Sequence, residues 1–410
     1  MTAALDLTRR NLLRNIATLF SGSVVAQGMT ALALLLTARQ LGADGYGPYA
    51  ACIALASIAA ILFSLGLDIW LLREGGRSAL PLAELAGSVL AIKVAFGLGW
   101  MALFFVLAPL LQPDTYPAGL MRWSLLVVWL DVLLATVLTS FKAALRSRTP
   151  ALLEAGADLI WFLATLALIG LGLRQPERYF QIRALVSAPA LLLGVWLLRR
   201  AVGLRFSLST ARLALRQCFP FALADLLGTI TMRADLVIVG WALGKTAAGV
   251  YSPAVGLVNM VFLAPMAVHT VMVPVLSNLY RNHPAQARRS AGRTVLLLTV
   301  MGVALTAAFA AVAPLLVRIL GPSYQGSLGI LRIISLVLLF KSLSFGMAAI
   351  IVATDQQAQR TAVQAVAALA NILLNLLVVS RWGVQGVAGV YVLTEVILLA
   401  GYTWIAWRKR

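Results

Sequence analysis

Leu41-Gly42-Ala43-Asp44-Gly45-Tyr46-Gly47-Pro48-Tyr49 and, almost half a chain later, Leu243-Gly244-Lys245-Thr246-Ala247-Ala248-Gly249-Val250-Tyr251 share one spacing, L-G-x4-G-x-Y. Each copy closes one long apolar segment and opens the next. In a chain of 410 residues, a repeat at this offset reads as one membrane unit duplicated and fused.

The composition agrees. Hydrophobic residues make up 61% of the chain and charged residues 11%, about half the charged share of a soluble domain. Apolar runs of membrane-spanning length recur from end to end. The stretches between them are too short for a separate soluble core. Twelve helical spans are expected, at about 15–38, 46–70, 84–111, 118–140, 150–172 and 179–200, then 218–241, 248–277, 291–319, 327–352, 359–381 and 384–407. The expected fold is therefore all-α and integral to the membrane. Residues 1–200 form one six-helix bundle, 201–217 a cytoplasmic linker, and 218–410 a second, pseudo-symmetric bundle.

A net charge of +19 invites a nucleic-acid reading. The placement of the charges argues against it, because the basic residues lie in short clusters between apolar runs, where they set topology. Arg9, Arg10 and Arg14, then Arg73 and Arg77, then Lys142, Arg146 and Arg148, then the arginines from Arg199 to Arg216 and from Arg281 to Arg293, then Arg360, and Arg408 to Arg410 all fall on one side. The other side holds scattered residues: Arg39, Arg122, Arg174, Arg178, Arg183, Lys245, Arg318, Arg332 and Arg381. The bias places both termini in the cytoplasm. The linker (Leu204, Phe206, Leu208, Leu213 and Leu215 among Arg205, Arg212 and Arg216) suits a segment lying on the lipid surface, and Leu5, Leu12 and Leu13 near the N-terminus suit the same. Cys52 and Cys218 are read as small buried hydrophobes.

Ionisable residues inside spans carry the functional signal, since a charge at that depth faces protein or a wet cavity. Lys93, Arg233 and Lys341 could offer positive charge to a phosphate or pyrophosphate, and are the candidate cargo-binding set lining a polar cavity between the halves. Asp131, Asp225, Asp235 and Glu395 are candidates for ion coupling or for pairing with those cations, as is Asp158 for pairing. Arg233 and Asp235, two positions apart, lie on nearly opposite helix faces and are not expected to pair. Asp68 reads as interfacial. Asn371 and Asn375 share a face of span eleven and are read as helix–helix hydrogen bonders. Pro265 and Pro274 interrupt span eight. No catalytic constellation, metal-ligand spacing or phosphate loop is present, so neither an enzyme nor a cofactor is expected.

The run from Leu41 to Ala50, with Gly66-Leu67-Asp68 through Arg73-Glu74, resembles the N-terminal signature of polysaccharide-type (Wzx-like) flippases. In the second half Pro220 to Leu223, Arg233-Ala234-Asp235, Gly249-Val250-Tyr251 and Pro274 to Ser277 resemble the same family. It belongs to the multidrug/oligosaccharidyl-lipid/polysaccharide exporter superfamily. The resemblance implies two six-helix bundles arranged as a V around a central cavity in the inner membrane. It also implies outward flipping of a polyprenyl-pyrophosphate-linked oligosaccharide, with membrane lipids, a polysaccharide polymerase and glycosyltransferases as partners. A multidrug cation antiporter of the same superfamily is the alternative, and a membrane glycan polymerase or ligase a more distant one.

Overall fold

The computed structural model describes residues 9–77, 80–146 and 148–407, excepting the side chains of 9–26, Pro109 and Ala224. The basic clusters at both ends of the chain, and Leu5, Leu12 and Leu13, lie outside what it describes. The described chain is helical: α1 (Arg9–Ser64), α2 (Leu67–Arg77), α3 (Leu82–Leu107), α4 (Ala118–Ala143), α5 (Arg148–Gly170), α6 (Pro176–Ala201), α7 (Leu208–Gln217), α8 (Phe219–Leu243), α9 (Lys245–Val261), α10 (Leu263–Asn282), α11 (Pro284–Leu320), α12 (Ser327–Ala353) and α13 (Gln357–Trp407). Among the described residues, 10 helices are long and apolar enough to cross a membrane. The protein is a multi-pass membrane protein.

The difference from the expected twelve spans has a physical origin. Two of the ten helices contain a residue with non-helical backbone, Gly42 in α1 and Gly383 in α13. The second break makes a hairpin. Asn371 Nδ2 donates to Thr394 Oγ1 at 3.0 Å, Tyr402 lies within electrostatic reach of Arg360, and a Cβ on Gly401 would lie 2.5 Å from Val363 Cγ1. These pairs run antiparallel about Gly383. Asn375 extends the ladder by donating to Asn371 Oδ1 at 3.1 Å, so both asparagines bond helix to helix. Span eight also divides, into α9 and α10 at Phe262. The division falls one turn before Pro265, which has no N–H to offer the Val261 carbonyl.

By contacts the chain forms two compact units. The first comprises residues up to 33 with 56–226, and the second 34–55 with 227–410. These limits differ from the expected 1–200, 201–217 and 218–410. Within the 201–217 segment, α7 buries Ala211 and Ala214 in a cluster with Leu67, Trp70, Leu85 and Val89. Trp70 Nε1 also donates to Gln217 Oε1 at 3.0 Å. Ser207 caps α7 by accepting from the Thr210 N–H, while Phe206, Leu208 and Leu215 stay exposed.

Residues 34–55 join the second unit through the repeated motif itself. Gly42 (φ 68, ψ 173) and Gly244 (φ 83, ψ −175) adopt the same backbone conformation, one open essentially to glycine alone. The later glycines meet across a joint. A Cβ on Gly47 would lie 1.8 Å from the Lys245 carbonyl oxygen, and one on Gly249 would lie 1.9 Å from that of Ala43. Thr246 donates to Asp44, its counterpart in the other copy. Equivalent positions therefore face each other, as a local twofold axis requires.

Candidate functional site

Each unit holds charge inside its helical core. In the first, Lys93 of α3 has no exposed surface. Its Nζ lies 2.7 Å from Asp68 Oδ1 of α2 and 2.8 Å from Thr136 Oγ1 of α4. Thr136 donates to the same carboxylate at 2.7 Å. The hydroxyl thus orients both partners of a buried ion pair. Asp225 of α8 stands within electrostatic reach of Lys93 and Asp68 and accepts from Ser64 at 3.4 Å. One lysine therefore faces two carboxylates.

A second cluster in the same unit repeats that ratio. Arg183 of α6 reaches Asp158 of α5 at 2.7 Å and Asp131 of α4 at 3.3 Å. It also lies over the Trp161 ring, 4.5 Å from the centroid. Ser187, one turn further along α6, donates to Asp131 at 2.8 Å.

In the second unit, Asp235 of α8 is buried. It accepts from Tyr251 at 2.5 Å and from the Leu236 N–H at 2.7 Å. Tyr251, the last residue of the second motif, is fully buried. Its hydroxyl supplies the donor that a carboxylate at this depth needs. We expect Tyr251→Phe to cost about 1–3 kcal/mol, read as a lower unfolding midpoint in detergent. An unchanged midpoint would show that Asp235 is satisfied without it. Lys341 of α12 lies 3.8 Å from Glu395 and 3.3 Å from the Tyr391 hydroxyl, both on α13. It also faces the Phe262 ring at 4.9 Å. Arg233 differs from every other cation in these clusters. Its side chain is exposed, and among the described residues it has no ion pair or hydrogen bond. Asp235, Tyr46 and Tyr391 are its electrostatic neighbours.

The three expected cargo cations therefore have unlike surroundings. Lys93 and Lys341 are held by carboxylates, and Arg233 alone keeps its charge uncommitted. Asp131, Asp225, Asp235 and Glu395 are all found in clusters, Asp131 with Arg183, Asp225 beside Lys93, Asp235 with Tyr251 and Glu395 with Lys341. Sequence reading missed Arg183, which was counted among outer-side charges although it lies two turns inside α6. It also missed Asp68 as the partner of Lys93. Helix position alone could have flagged Arg183, but no spacing pairs residues on different helices.

The profile of a family described as polysaccharide biosynthesis proteins matches residues 36–328. The chain belongs to that family. No curated protein sequence matches this polysaccharide biosynthesis protein, but solved structures do. Its fold is similar to the inward-facing conformation of a multidrug resistance MATE family transporter of the MOP superfamily (TM-score 0.71, 14% identity, 95% of this chain and 94% of that one). It is similar also to the lipid II flippase MurJ in an inward closed conformation (0.71, 15%, 94% and 87%). A third is a MOP superfamily transporter from Pyrococcus furiosus, whose reverse-polarity binding pocket suggests a different function for it (0.64, 14%, 96% and 95%). At such identities the likeness is one of fold.

Proposed function

We propose that this polysaccharide biosynthesis protein is a flippase that carries a polyprenyl-pyrophosphate-linked oligosaccharide from the cytoplasmic to the outer leaflet by alternating access. The observation that carries the reading is Arg233. An unpaired cation midway along an apolar helix costs about 2.5–3.5 kcal/mol. A bidentate phosphate ligand offsets that cost. Membership of a polysaccharide biosynthesis family supports a glycan cargo, and the fold supports transport. In this reading α1 and α13 each cross the membrane twice, at Gly42 and Gly383, giving twelve crossings in two bundles with both termini cytoplasmic. An interior-negative potential then favours outward movement of the anionic cargo by about 2.3 kcal/mol per charge per 100 mV.

The first unit suggests how an ion could be coupled. Each of its clusters has two carboxylates to one base, so Asp225 or Asp131 can take up a proton or a metal cation. The same acid surplus favours a second reading, a cation antiporter. One reconstituted assay separates the two. Proteoliposomes with a fluorescent polyprenyl-pyrophosphate oligosaccharide should show flipping that Arg233→Ala slows at least tenfold, with an unchanged unfolding midpoint, while Arg233→Lys retains part of the rate. A full rate in Arg233→Ala, or strong transport of a cationic dye without flipping, overturns the proposal.

A further inference from the structure

One end of the second unit holds a cavity of about 1050 Å³ outside the clusters described above. The α10–α11 turn, the α12–α13 turn and the last residues of α13 all border it. Its floor is apolar, with Met347 and Ile350 of α12, and Trp407 stands at its edge. Its lining carries Arg281, Arg288 and Arg289 and, among the described residues, one carboxylate, Asp355. Asp355 sits in the left-handed region (φ 57) where the chain turns from α12 to α13. Among the described residues, none of the three arginines is ion-paired, and all three are exposed.

The arginines also oppose their own backbone. Arg288 and Arg289 lie in the opening turns of α11, whose first turn contains no acidic residue. The N-terminus of a helix is the positive end of its dipole, where cations are disfavoured and anions are held. Dipole and guanidinium groups therefore sum to one positive field over an apolar floor. A volume of this size exceeds what a free inorganic anion fills, and the tryptophan is of the kind found at headgroup depth. The α11 and α13 surfaces leading away from this end expose Leu296, Leu297, Val366 and Leu369, which suit a hydrocarbon tail.

We propose that this cavity binds the phosphate headgroup of an anionic membrane lipid, with the phosphate on Arg281, Arg288 and Arg289 and the glycerol or first tail carbons on Met347 and Ile350. The site is separate from Arg233, and lipid binding is read without transport, so the two proposals stand or fall independently. A basic pocket between spans on the side richer in Lys and Arg has the chemistry to recruit such a lipid from the cytoplasmic leaflet.

The test uses the full chain, delipidated in detergent and titrated with phosphatidylglycerol under native mass spectrometry. Each arginine near the headgroup is worth about fivefold in affinity. The Arg288→Gln/Arg289→Gln variant should therefore bind phosphatidylglycerol roughly twentyfold more weakly, with an unchanged unfolding midpoint. Zwitterionic phosphatidylcholine should bind wild type and variant alike. Arg199→Gln/Arg200→Gln, which removes an equal exposed charge at the end of α6, should bind phosphatidylglycerol as the wild type does. Polyprenyl diphosphate binding with the same arginine dependence would support the site and extend it to the cargo's own headgroup. Equal loss in both double variants would mean diffuse surface charge and overturn the proposal. So would wild-type binding in Arg288→Gln/Arg289→Gln, or displacement of the lipid by an equal concentration of inorganic pyrophosphate, which would mark a soluble-anion site.

Discussion

Gly47→Ala and Gly249→Ala are expected to be the most damaging single-methyl changes in the protein, each lowering stability by roughly 3 kcal/mol and abolishing transport. The added carbon of Gly47→Ala would lie 1.8 Å from the Lys245 carbonyl oxygen and 2.7 Å from its carbon. That of Gly249→Ala would lie 1.9 Å from the Ala43 oxygen. Both obstacles are backbone, so no rotamer change relieves either clash. Alanine gains about 1 kcal/mol over glycine inside a helix, far too little to compensate. Gly228→Ala in α8 is the control, since its methyl meets nothing within 4 Å and should be neutral or mildly stabilising. Because the two damaging glycines sit on one joint, the double variant should cost less than twice the single. Wild-type unfolding midpoints for both single variants would show that the copies do not meet as described.

Lys93→Met should be the most damaging side-chain change. Removing one partner of a buried ion pair costs about 3–5 kcal/mol, because the other charge is left without compensation. Here Asp68 keeps the Thr136 hydrogen bond but loses its ion-pair partner, and Asp225 loses the favourable charge of Lys93 while still facing Asp68. Lys93→Met combined with Asp68→Asn should recover much of the loss, with a coupling of about 2 kcal/mol or more in the double-mutant cycle. Unfolding midpoints in detergent give this directly. A stable Lys93→Met protein that fails to flip cargo would instead return Lys93 to the cargo-binding role expected from sequence. Arg233→Ala is the mirror case, in which transport is lost and stability is largely kept, because among the described residues that cation makes no ion pair or hydrogen bond and meets Asp235 only through longer-range electrostatics.

These contrasts show where sequence reading stopped. Lys93, Arg233 and Lys341 look alike in the sequence: each is a single basic residue in an apolar run. Only the neighbouring helices distinguish them, and neighbours distant in sequence leave no periodicity to read. Asp68 had no visible partner for the same reason. By contrast, the break between residues 381 and 384 was legible, since Trp382-Gly383 interrupts an apolar stretch too long for one crossing. Pro265 marked an interruption inside span eight, but its division into two helices at Phe262 was not read from the sequence.

The sequence by itself determined the apolar helices, the duplicated motif and the depth of the charged residues, because hydrophobic run length and glycine placement are local properties of the chain. Tertiary structure alone decided that the two motif copies clasp each other backbone to backbone, that Tyr251 satisfies Asp235, and that two of three candidate cations are neutralised. Each of those outcomes depends on which helix packs beside which, a choice made by the collective burial of many side chains and not encoded in any single stretch.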